Sequence, residues 1–91
     1  MRKIEKQMWE AINNLEGWQG GNTTVCQTDG GARVYLHAHH IATVDTVTGK
    51  VTVNKTTLRD YPTNTTKSRL RALGVDVYTK NGITYLDGEE I

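Results

Sequence analysis

Phenylalanine is absent from this 91-residue chain, and cysteine, proline and serine occur once each. A lone Cys26 excludes an internal disulfide framework and fits a reducing compartment. No apolar run is long enough for a signal-peptide core or a membrane span. Without Phe, the core must rest on Val, Ile, Leu, two Trp and four Tyr. A chain of this length supports one modest core, so residues 1–91 read as a single domain. The three Asn-x-Thr sequons, at Asn22, Asn54 and Asn64, reflect only a Thr-rich sequence unless the chain is secreted. Gly20-Gly21 and Gly30-Gly31 read as turns, because the strand–loop–helix context of a phosphate-cradling loop is missing. Acidic residues show no paired pattern, and Ser68, the only serine, lies among cations. The expectation is therefore a non-enzymatic protein with no catalytic residues, no metal and no cofactor.

What is present centres on residues 63–74. Asn64, Thr65 and Thr66 are good helix starters, and Gly74 sits where a left-handed residue would end the helix. Leu70 and Leu73 share one face, with Thr66 a turn earlier, while Lys67, Arg69 and Arg71 point away from it or flank it. Between residues 50 and 80 seven cations face two carboxylates, a local charge of +5 in a chain of +1. The basic face reads either as a phosphate or acidic-partner contact or as a solvated surface. The acidic end, Asp87, Glu89 and Glu90, could in turn neutralise it.

Upstream, residues 2–16 form an amphipathic helix with Ile4, Met8, Ala11, Ile12 and Leu15 inward and Glu5, Lys6, Glu10, Asn13 and Asn14 on the other side. Trp9 and Trp18 are expected to close the core's rim, with Trp9 as an exposed anchor the alternative. Thr23 to Thr28 is β-prone, and Val34–His37, Ile41–Asp45 and Val51–Asn54 make an antiparallel meander with turns at Asp29-Gly30-Gly31 and Thr48-Gly49-Lys50. Tyr61-Pro62 breaks the chain before the basic helix. Asn81-Gly82, between two alternating runs, is a hairpin signal, and Asp87-Gly88 ends the last strand. The expected fold is α+β, a small two-layer domain in the order α-β-β-β-α-β-β, with helices on one face of an antiparallel sheet and a polar, hydroxyl-rich face on the other.

His37, His39 and His40 carry metal-binding chemistry, yet they sit where a tight turn must be and no second Cys or paired carboxylate completes a ligand set. Cys26 with His37 could form a nucleophile and base, but a single strand cysteine more often packs as a small apolar residue.

Three stretches resemble a known group: Val34-Tyr35-Leu36-His37 with Ile41-Ala42; Thr65-Thr66-x-Ser68-Arg69-Leu70-x-Ala72-Leu73; and Asn81-Gly82-x-x-Tyr85-Leu86-Asp87-Gly88. Together with the first helix, they resemble small proteins of unknown role common in tailed bacteriophages. The tip Ala38-His39-His40 departs from that pattern, where relatives tend to carry Gly or Asn. The resemblance implies a phage-encoded accessory protein of the bacterial cytoplasm, a monomer or small homo-oligomer with no membrane partner. The leading expectation is a module that binds nucleic acid, or an acidic or nucleic-acid-handling host protein, through Lys55, Arg59, Lys67, Arg69 and Arg71. The alternative is an inhibitor or adaptor that docks on a host protein by its sheet face or edge, using Tyr35, Tyr78 and Tyr85.

Overall fold

The computed structural model describes residues 2–91. Helix α1 spans Lys3–Asn13. Five antiparallel strands follow in simple spatial order, β1 (Trp18–Gly20), β2 (Thr23–Thr28), β3 (Gly31–Leu36), β4 (His39–Asp45) and β5 (Val51–Val53). Two helices, α2 (Lys55–Asp60) and α3 (Asn64–Ala72), lead to a separate three-stranded sheet of β6 (Val77–Lys80), β7 (Ile83–Leu86) and β8 (Glu89–Glu90). The α+β class is as expected. The strands β1, β2 and β8 and the helix α2 are additions to the expected order, β2 falling on the run Thr23 to Thr28 that reads as β-prone.

Period-two alternation explains the large sheet. Val25, Val34, Ala42 and Val53 face one another across four strands, and all lie on the core side. Met8 and Ile12 of α1, Leu58 of α2 and Leu70 of α3 pack into the same core, so the three helices share that side. The pairing shifts register between Val34 and Tyr35, leaving Ile41 as an extra residue on β4. This bulge lets Ile41 and Ala42, adjacent in sequence, both be buried.

The turns follow residue chemistry except at Leu15 and at the β3–β4 tip. Asn81 and Gly82 both have positive φ, as the two central residues of a tight hairpin require, and Asp87 and Gly88 repeat the device to add β8. At the β3–β4 tip the same left-handed pair is His37 (φ 50°) and Ala38 (φ 66°), neither of which favours it. Residues His39 and His40 thus belong to β4 and not to the turn. Helix α3 starts at Thr63, whose Oγ1 accepts from the Thr66 backbone N–H at 3.1 Å. It ends in a Schellman arrangement: Val75 N–H bonds Leu70 O at 3.0 Å and Gly74 N–H bonds Arg71 O at 2.9 Å, with Gly74 at φ 90°. Leu15, expected inward, is 64% exposed because α1 stops before it and its φ is 56°.

Both indoles close the rim. Trp9 Nε1 donates to the Ala72 carbonyl at the end of α3. Trp18 folds over its own strand, and a Cβ on Gly20 would stand 2.2 Å from the ring.

Candidate functional site

The cations of α3 are the first place to look, and the fold uses all three. Arg69 is 3% exposed and Lys67 5%. Arg69 Nη1 donates to Glu5 Oε2 at 2.8 Å, its Nε to Thr23 Oγ1 at 2.9 Å and its Nη2 to Asn22 Oδ1 at 3.3 Å. Ser68 Oγ donates to the same Glu5 oxygen at 2.6 Å. Glu5, placed by the sequence on the solvent side, is 3% exposed. Burial pushes its carboxyl toward protonation. The Ser68 hydroxyl and Arg69 guanidinium, with the Arg2 backbone N–H, outweigh that and hold it below the ordinary carboxylate range. One buried cluster thereby joins α1, the β1–β2 turn and α3. Lys67 Nζ donates to Thr79 Oγ1 on β6, and Arg71 Nε donates to Val77 O at 2.8 Å.

The expected basic contact surface is accordingly corrected. Arg69 and Lys67 are buried, each side-chain nitrogen with a hydrogen-bond partner, and Arg71 is exposed but tied to β6. Lys55 and Arg59 remain exposed on α2, where they share a cleft of about 140 Å³ with Glu89, Glu90 and Ile91. The acidic end thus lies beside these two cations. Among the described residues the Glu5–Arg69 contact is the single ion pair.

Among the described residues no helix packs on the opposite side of the large sheet. The pairing aligns Cys26, Arg33, Thr43 and Thr52 in one row and Thr24, Tyr35 and His40 in the next. Tyr35 and His40 lie ring to ring at 5.4 Å, and His40 Nε2 is 2.9 Å from Thr43 Oγ1. This is the polar, hydroxyl-rich face expected from alternation. Arg33 is the single permanent cation in those two rows, and Asp45 lies at the next position along β4 on the same face. Tyr78 and Tyr85 are elsewhere, directly opposed on β6 and β7 with rings stacked at 5.1 Å. The three tyrosines therefore do not form one patch.

The histidines diverge. His39 stacks on Tyr61 at 4.2 Å, His37 occupies the tip, and His40 turns to Thr43 and Asn54. Among the described residues no group of three or more His, Cys, Asp and Glu side chains could hold a metal ion. Cys26 pairs with Arg33 in register, four residues from His37, or roughly 13 Å along the strand. A direct proton transfer between Cys26 and His37 is excluded at that spacing. No helix among the described residues is long and apolar enough to cross a membrane.

No curated protein and no solved structure matches the chain. A family model described as Kyanoviridae Gp96 protein matches it over residues 1–91.

Proposed function

The chain belongs to the Kyanoviridae Gp96 family of phage proteins, and from that premise we propose that it is a non-enzymatic accessory module that docks on a host protein through the bare face of its five-stranded sheet. One observation carries this reading: the three helices share the core side, leaving Thr24, Tyr35, His40, Arg33, Thr43 and Thr52 as a continuous outward surface. That surface is rich in hydroxyls and nearly neutral, which suits hydrogen bonding and ring contact with a protein better than neutralisation of phosphates. The contact takes place in the bacterial cytoplasm.

The competing nucleic-acid reading retains Lys55, Arg59 and Arg71, with two of the three facing an acidic strand. Comparative capture from host lysate separates the two. The expected result is a protein retained by the parent and by Lys55→Ala/Arg59→Ala, and lost from a folded Tyr35→Ala/Thr43→Lys variant. Micromolar nucleic-acid binding with a steep salt dependence, abolished by Lys55→Ala/Arg59→Ala/Arg71→Ala, would overturn the proposal.

A further inference from the structure

The free edge of β5 supports an inference separate from the sheet face. In the β4–β5 ladder Asn54 N–H bonds Ile41 O and Asp45 N–H bonds Lys50 O, both at 2.8 Å. The register pairs Thr52 with Thr43 between them. Residues 50, 52 and 54 thus address β4. An antiparallel strand directs alternate residues to opposite sides, so the N–H and C=O groups of Val51 and Val53 point outward. No partner for them occurs among the described residues.

Beside this edge lies a groove of about 450 Å³, with Leu73, Val75 and Leu86 among its lining. Lys50 and Lys55 stand on the β5 side and Asp87 on the other. A three-residue edge flanked by lysines is too short to template sheet growth. It is long enough to pair with one extended segment, about 10 Å of strand.

We propose that this groove is a strand-addition site for an extended peptide that alternates aliphatic and polar residues and carries a carboxylate. Main-chain bonds to Val51 and Val53 hold the segment, alternate aliphatic side chains enter the groove beside the half-buried Val75, and the carboxylate meets Lys50. Lys55 also borders Glu89 and Glu90 in the neighbouring cleft, so Lys50, beside the outward groups of Val51, is the cation that selects a carboxylate.

The test uses the full chain and a fluorescein-labelled octapeptide that alternates valine with threonine and glutamate. The expected result is saturable binding that N-methylation weakens tenfold or more at alternate amides and leaves unchanged at the amides between. Replacing glutamate by lysine is expected to weaken it as well. Val53→Pro deletes one outward N–H without removing a β4 bond, and is expected to weaken binding at unchanged circular dichroism. The N-methyl series holds whether or not that variant folds. No binding at about 1 mM peptide, the weak limit of specific association, would overturn the proposal. So would N-methylation effects without period two, or a β5-mediated dimer in sedimentation. None of these outcomes depends on Tyr35 or Thr43, so the sheet-face reading stands or falls separately.

Discussion

Arg69 spends its charge inside the protein. Its guanidinium meets Glu5, Thr23 and Asn22, while Ser68 donates to the same carboxylate. Removing one member of a buried pair strands the other's charge, which typically costs about 3–5 kcal/mol. Arg69→Ala is therefore expected to destabilise the domain by that amount in urea unfolding, whereas Glu5→Leu with Arg69→Met should recover most of the loss. The carboxyl of Glu5 also gives a pH signature. Its folded pKa is below its unfolded value, so the unfolded chain binds the proton more tightly. The pair's contribution is complete above the unfolded pKa, about 4.3, and fades as pH falls through the lower folded value. Glu5→Gln should remove that part of the acid dependence in denaturation measured from pH 6 to pH 2 or so. A signal for this pair existed in the sequence. Glu5, Met8 and Ile12 share helical spacing, as do Thr66, Arg69, Leu70 and Leu73. Two opposite charges, each on an inward stripe of its own helix, are candidates for burial together. Reading residues 50–80 by net charge hid that placement.

At the scale of elements, the tip of the β3–β4 hairpin is the place where local chemistry and fold disagree. His37 and Ala38 hold left-handed backbone that asparagine and glycine adopt more readily. Ala38→Gly is expected to raise stability by up to about 1 kcal/mol, read as a higher melting temperature, with His37→Asn acting in the same direction. The Asn81-Gly82 turn, the Gly74 stop and the alternation of β3 were legible because single residues dictate them. The helix α2 was not. It has six residues, two of them β-branched threonines, and one buried apolar side chain, Leu58. Its cue was Asn54, whose Oδ1 accepts from Thr57 N–H at 3.2 Å; at the end of an alternating run it read as strand. The bulge at Ile41 was likewise hidden, since extra residues break the pattern that reveals strands. Gly20 is required by a contact no local pattern encodes. Gly20→Ala is expected to displace the Trp18 indole, visible as a shift in tryptophan emission.

Across the whole molecule, three helices on one side of a five-stranded sheet leave the polar face and the β5 edge among its unshared surfaces. The basic segment that stood out in sequence is instead the joint between layers: Arg69 fastens α3 to α1 and the first hairpin, and Lys67 and Arg71 fasten it to the small sheet. The most specific motif of the phage resemblance, Thr-Thr-x-Ser-Arg-Leu, is in this light a set of fold-holding contacts. Thr66 meets the Thr63 cap, Ser68-Arg69 form the clamp and Leu70 enters the core, in that order. The most direct measurement is a double-mutant cycle in urea on Glu5→Gln and Arg69→Met, with duplex and single-stranded nucleic-acid binding measured on each variant. The account predicts a large loss of stability for Arg69→Met, strong coupling between the two positions, and no specific loss of nucleic-acid affinity. Parent-like stability for Arg69→Met together with lost nucleic-acid binding would contradict it, and would return α3 to the role of a contact helix.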